Sequence, residues 1–219
     1  MVAIAAFLFL FLAASTASAQ SAYVGGSLLA DVVRFSGSST DTVVGNGEAI
    51  GGAIRVGAPL GTQWGVDLEF ARSAEIESTP DVRILADLFG GSVFAPAIFP
   101  PPEISIRGQL STLATTVWWR HDIGERFDLV YLGGVSFSRT KREARVNFGP
   151  LPLPASLGGV ILPTSLFAQD SVSYDAGVIV GLDGRVAMTE HLRLVPGVRL
   201  LTVPDGWVAR PAVGLQWMF

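Results

Sequence analysis

The chain has no cysteine, one lysine and two histidines among its 219 residues. Without cysteine there is no disulfide framework, no thiolate metal site and no thiol nucleophile. With Lys141 as the only lysine and charged residues at 16%, the sequence lacks the Lys/Glu-studded surface that keeps most small domains in water. His121 and His191 do not form a pair at ligand spacing, and no dense acidic loop accompanies them, so neither a zinc nor a calcium site is expected, and no cofactor is called for. The net charge of -4, with no basic domain and no base-stacking motif, gives no basis for a nucleic-acid partner. Helical membrane spans are also lacking: after the first 14 residues no apolar run approaches 18 residues, apart from a proline-rich stretch, "GGSVFAPAIFPPP", that cannot be a regular helix.

What is present begins with that first run. "MVAIAAFLFLFLAA" is followed by "STASAQ", in which Ala17, Ser18 and Ala19 supply the small residues a signal peptidase accepts. A signal peptide over 1–19 and a mature domain over 20–219 are therefore expected. Because no Lys or Arg precedes the run, a short anchor is the competing reading.

The remainder divides into eight stretches of alternating character, the period of a strand with one apolar face. They run from Tyr23 to Phe35, Glu48 to Ala58, Trp64 to Ala74, Ile104 to His121, Phe127 to about Lys141, Val172 to Val186, Leu192 to Leu201 and Trp207 to Phe219. In the fifth, Phe127, Leu129, Tyr131, Val135 and Phe137 alternate with Asp128, Gly134, Ser136 and Ser138. "GLDGR" (Gly181 to Arg185) reads as a bend near the end of the sixth. Short links such as "PLGTQ", "DIGER" and "AMTEH" alternate with long ones, except that the last, around "VPDG", is short where the rule asks for a long one.

Short turns on one side, longer loops on the other and an even number of roughly ten-residue strands specify an all-β fold: an eight-stranded antiparallel up-and-down transmembrane β-barrel. In hydrocarbon a sheet survives only if closed, because every backbone amide must be paired. A soluble β-sandwich or barrel would alternate as well, and the two readings differ in which face meets water. The strand phasing places Asp31, Asp67, Glu69, Asp128 and Asp175 on one face with Arg55, Arg120, Arg193, Arg199 and Arg210. Five acids and five arginines can neutralise one another inside a narrow tube, and an eight-stranded tube is just wide enough to be filled by side chains. A general diffusion porin is therefore not expected, although a small-solute channel stays as an alternative. On the apolar face, Trp64, Trp119, Phe127, Trp217 and Phe219 fall near the short-turn end as an aromatic girdle. Tyr23 has the other parity and either points inward or begins an irregular segment.

The leader, the eight alternating stretches, "HDIGERFDLVYLGGVSFSR" (His121 to Arg139) and the terminal "VGLQWMF" resemble the small outer-membrane β-barrels of Gram-negative bacteria, the OmpA-like or porin-family barrel proteins. The resemblance implies location in the outer membrane and an assembly signal at Phe219, with Trp217, Leu215 and Val213 as its outward companions, read by the outer-membrane assembly machinery. No peptidoglycan-binding domain follows the barrel, so an anchoring role is not implied.

Enzymatic chemistry is not expected. Barrels that deacylate lipid A need a serine activated by a nearby histidine, and His121 and His191 both fall at short turns, on the opposite side from where such enzymes work. A lipid A-modifying enzyme is thus the weakest alternative. The freedom lies in the long loops and their roots. "SRTKREAR" puts Arg139, Lys141, Arg142 and Arg145 at the outward end of the fifth strand, where they could meet the phosphates of lipopolysaccharide or form an ordinary solvated rim. "DVRILADLFGG" (Asp81 to Gly91) has the spacing of a short amphipathic helix, and the proline-rich segment after it could cover the barrel mouth or face a partner of unknown identity. The expected role is structural or interactional, in contact with outer-membrane lipid and lipopolysaccharide.

Overall fold

The computed structural model describes residues 22–35, 47–78, 103–147, 151–152, 161–162, 165–203 and 206–219. The expected leader and the expected helix over Asp81 to Gly91 lie outside them. The strands are β1 (Tyr23–Phe35), β2 (Gly47–Pro59), β3 (Trp64–Ser73), β4 (Ile76–Ser78), β5 (Glu103–Asp122), β6 (Phe127–Asn147), β7 (Leu151–Pro152), β8 (Ile161–Leu162), β9 (Ser165–Ala187), β10 (Leu192–Val203) and β11 (Gly206–Met218). Among the described residues β7 and β8 pair with each other, apart from the main sheet.

The others form one sheet in the order β3-β2-β1-β11-β10-β9-β6-β5, and β3 also pairs with β5. The sheet therefore closes on itself. β4 continues the line of β3 along β5, with Ile76, Glu77 and Ser78 opposite Gly108, Arg107 and Ile106, so the barrel has eight staves. Each stave pairs antiparallel with its neighbours in sequence, the up-and-down arrangement expected from the alternation.

Three tight turns gather at one end. Leu60 and Gly61 donate their amides to the Trp64 carbonyl, Ile123 and Gly124 to that of Phe127, and Met188 and Thr189 to that of Leu192. Phe219 donates to the Ala22 carbonyl at the same end. These bonds fix strand register, and register decides which side chains point inward.

The strands differ in length from expectation on one side of the barrel. β5, β6 and β9 contain 20, 21 and 23 residues, and residues read as loop, Arg142 to Asn147 and Ser165 to Ser171, belong to β6 and β9. A strand of 21 residues spans about 70 Å at about 3.3 Å per residue, well beyond the nine to eleven or so tilted residues that cross a bilayer. The part of β9 from Ser165 to Gly177 pairs with β6 alone among the described strands. A sheet of β4, β5, β6 and β9 thus rises past the closed barrel.

Inward positions are filled from both walls. Gly57 lies where a Cβ would collide with the Tyr23 ring and the Asp67 carboxylate, and Gly65 lies against the Trp118 ring. Glycine on one wall makes room for the large side chain reaching over from another.

Candidate functional site: a charged lumen and a basic outer rim

Alternation carries the charged side chains of eight strands into one lumen. Arg55 on β2 donates through Nε and Nη2 to Glu69 Oε2 on the neighbouring β3, at 3.0 and 2.9 Å, and through Nη1 to Asp183 Oδ2 on β9, at 2.7 Å. Arg199 on β10 lies 3.2 Å from Glu69 Oε2 and 3.1 Å from Asp183 Oδ2. In the ring of eight staves β2 stands opposite β9, and β3 stands opposite β10. The pairs Arg55–Asp183 and Glu69–Arg199 are therefore two cross-braces spanning the diameter. Asp67 joins them, with Oδ2 3.7 Å from Arg55 Nη1.

Toward the short-turn end, the Tyr23 hydroxyl donates to Asp67 Oδ1, and Arg185 Nη2 donates to the Tyr23 oxygen at 3.2 Å. The Arg185 guanidinium lies 5.2 Å from the centre of the Tyr23 ring and 4.8 Å from that of Trp118, within cation–π range of both. Toward the opposite end, Arg210 grips Asp31 with two bonds, 2.6 Å from Nε and 3.0 Å from Nη2, and also reaches Thr112 across the lumen at 3.4 Å. Arg193 donates to Asp128 at 3.2 Å near the short turns. There Arg120 Nε lies 2.9 Å from Asp122, and Arg120 Nη2 donates to the Thr62 carbonyl. Asp175 is half-buried on the inward parity of β9.

Apolar layers separate the ionic ones. Tyr23, Trp118, Val130 and Leu132, with Met218 against them, fill the short-turn end. Leu29, Ala53 and Ala71 make a second cluster. Val33, Leu110, Ile179, Leu201 and Val208 lead a third. The space between Gly25, Arg55, Arg199 and Gln216 leaves about 20 Å³ for the centre of a water molecule, enough for a single water.

Two members of this lumen escaped sequence reasoning. Asp183 and Arg185 are buried inside β9, whereas "GLDGR" suggested a bend. The correct signal was available, because residues 181, 183 and 185 continue the inward parity of Asp175 and Gly177. The glycines drew attention to turn chemistry instead, but Gly181 lies where a Cβ would meet the Val198 carbonyl and the Arg199 stem. Tyr23 is 2% exposed and points inward.

The outer face is apolar. Leu28, Ile54, Phe70, Val135, Phe137 and Val178 are all exposed there. Near the short turns Trp64, Trp119, Trp217 and Phe219 are also exposed outward, with Phe127 half-buried. Trp64 stands directly opposite Trp119, and the His191 ring stacks on Trp217 at 5.6 Å and 25°. Val213 and Leu215 share the outward face of β11 with Trp217. His121 is exposed in the strand opposite Leu129, on a different turn from His191, and among the described residues no three His, Cys, Asp or Glu side chains are placed to hold a metal.

At the far end the outer face becomes basic. Arg139 is exposed between Ser111 and Tyr174, with no ion-pair partner among the described residues. Two residues further, Lys141 bonds Glu143, whose other oxygen lies 3.6 Å from Arg145. The Lys141 hydrogen bond and charge hold the Glu143 carboxyl below the usual carboxylate range, and the same contact raises the Lys141 ammonium. Arg72 donates to Gln109, which faces Lys141 across the ladder. The Arg142 side chain lies outside the described residues. On the opposite flank Arg34 stands beside the outward Trp207, also without an ion-pair partner among the described residues, a second basic position that sequence reasoning did not select.

No family model matches the chain, and no curated protein matches it either. Solved structures do. Ail, the attachment invasion locus protein of Yersinia pestis, solved in complex with the heparin analogue sucrose octasulfate, aligns over 91% of this chain and 99% of its own, with 12% identity and a TM-score of 0.53. A second Ail structure gives the same coverage and identity with a TM-score of 0.52. A major outer membrane protein of Thermus thermophilus aligns over 90% of this chain and 99% of its own, with 16% identity and a TM-score of 0.48. At these identities the Ail likeness concerns the fold: this chain is similar to Ail in being an antiparallel eight-stranded closed barrel.

Proposed function

We propose that the mature chain, residues 20–219, is an integral outer-membrane barrel with a structural and interactional role, exported by the leader over residues 1–19. The observation that carries this reading is the inversion of polarity: the charged residues are paired inside a filled lumen, and the outward belt is apolar on every stave. In water such a belt would be a very large exposed apolar patch. In a bilayer it faces acyl chains, with the tryptophans near the tight turns at the periplasmic interface. Phe219, with Trp217, Leu215 and Val213, is then the outward-facing terminal signal for the assembly machinery.

The rim at the far end fits the phosphates of lipopolysaccharide. Arg139 lies 12 residues above Phe127 on one strand, a rise of about 30 Å at about 3.3 Å per residue and a 40° tilt, where the hydrocarbon ends. Arginine at that height supplies a planar, permanently charged fork for phosphate. Tyr174 beside Arg139 and Trp207 beside Arg34 add rings suited to the interface. Arg142 belongs to the same run.

Outer-membrane fractionation combined with gel migration before and after boiling tests the location. A heat-shifted band in the outer-membrane fraction is expected, and an unshifted soluble band contradicts it. Replacing Arg139, Lys141, Arg142 and Arg145 by Gln tests the rim. Lower retention of lipopolysaccharide by the purified barrel is expected, and unchanged retention contradicts the assignment.

A further inference from the structure

Two prolines sit inside strands of a barrel that has no edge to accommodate them. The ladder between β1 and β11 runs in one register on both sides of a gap: Leu29 pairs with Ala212 and Val32 with Ala209, but Ala30 and Asp31 are unpaired with Pro211 and Arg210. The ladder between β9 and β10 has the same interruption. Leu194 pairs with Val186 and Gly197 with Asp183, but Val195 and Pro196 are unpaired with Arg185 and Gly184. Between β10 and β11 the ladder is complete through both prolines. Proline has no N–H, so Pro211 withholds a bond from the β1 side and Pro196 from the β9 side. The terminal hairpin β10–β11 is therefore bounded on each flank by a weakened ladder, and one flank is the seam where the last strand meets the first.

Buried ion pairs stand at both interruptions. At the seam, the two side chains in the unpaired register position, Asp31 and Arg210, hold each other with two bonds, at 0% and 1% exposure. On the other flank, Arg199 of β10 donates to Asp183 of β9 at 3.1 Å; Asp183 stands opposite Gly197 in the pair that resumes the ladder beside the gap, and Arg199 lies two residues further along β10. We infer that these pairs are latches that lock the terminal hairpin into the barrel where Pro211 and Pro196 break the backbone ladders, with Asp31–Arg210 closing the seam. An arginine and an aspartate in register can pair only after the two strands have met and the lumen has been desolvated, so the seam latch acts at the final step of barrel closure. The inference goes beyond the proposed envelope role and does not depend on the identity of the surrounding membrane.

A cycle of substitutions in the full chain, refolded into detergent micelles, tests it. Pro211→Val supplies the missing N–H and a β-branched outward side chain. Asp31→Asn is expected to lower the temperature at which the compact gel band converts to the unfolded one, and to speed amide exchange at least tenfold in Gly206–Met218. In the Pro211→Val background both effects should fall to less than half. Equal effects in the two backgrounds would overturn the latch, because proline and ion pair would then act independently. If Asp31→Asn alone gives no compact band, the double variant decides: its recovery supports the latch, and its failure while Pro211→Val folds contradicts it. Asp183→Asn with Pro196→Val repeats the test on the other flank, although Asp183 also serves Arg55 and the coupling there should be smaller.

Discussion

Replacing Asp183 by Asn removes the acid of one cross-brace and a second acid partner of the arginine in the other. Asp183 is 0% exposed and accepts from Arg55 at 2.7 Å and from Arg199 at 3.1 Å. Without its charge, two guanidiniums stay buried, with Glu69 as their shared close acid and Asp67 at 3.7 Å from Arg55. Leaving a buried charge uncompensated costs about 3–5 kcal/mol. Asparagine keeps one acceptor oxygen, so the loss should lie near the lower end, about 3 kcal/mol. That is a large part of a domain stability of about 5–15 kcal/mol. Reversible urea unfolding in micelles, followed by tryptophan fluorescence, would measure it. The control is Glu190→Gln in an exposed turn, expected within about 0.5 kcal/mol of the parent. If Asp183→Asn unfolds at the same urea concentration as that control, the cross-brace reasoning is refuted.

Glu143→Gln should increase lipopolysaccharide retention, because Glu143 neutralises Lys141 and Arg145 within the rim; reduced retention in a pull-down would contradict this. Since the Glu143 carboxyl is held below the usual carboxylate range, the Lys141–Glu143 pair is present at neutral pH. It should be lost only as pH falls through that lowered value, so retention by the parent should rise there and retention by Glu143→Gln should not. Gly57→Val drives a side chain into Tyr23 and Asp67; at about 1–3 kcal/mol or more for overpacking, it should lower the thermal midpoint of the compact band. The parent barrel should give no conductance steps above those of an empty planar bilayer, and steady steps would mean that the layered lumen opens.

The fold was legible in the sequence wherever a strand separates two different environments. Strands β1, β2, β3, β10 and β11 were found within about one residue at each end, apart from β10's later end, because apolar and polar faces alternate along their full length. The upper halves of β6 and β9 were not legible, because Ser165 to Ser171 carries no regular apolar period and the Ala144–Val146 alternation is too short to stand out beside Lys141 and Arg142. Inward parity was readable from residue types, but partnership was not. That Arg55 meets Asp183 across the lumen depends on barrel closure and the relative shift of eight strands, and no local spacing encodes this. Pro196 and Pro211 stand in the sequence, but which neighbouring strand each faces does not, and their meaning rests on that.

The central claim is that the apolar outer face meets hydrocarbon while the charges lie within. The absence of native cysteine allows single cysteines to be placed and spin-labelled without background. Labels at Leu28, Val135 and Val178, all exposed on the outer face, in barrels reconstituted into lipid bilayers should be relaxed strongly by oxygen and weakly by a water-soluble nickel chelate. A label at Arg145 on the risen sheet should behave in the opposite way. Strong relaxation by nickel at Leu28, Val135 and Val178 would contradict the account, because that face would then meet water.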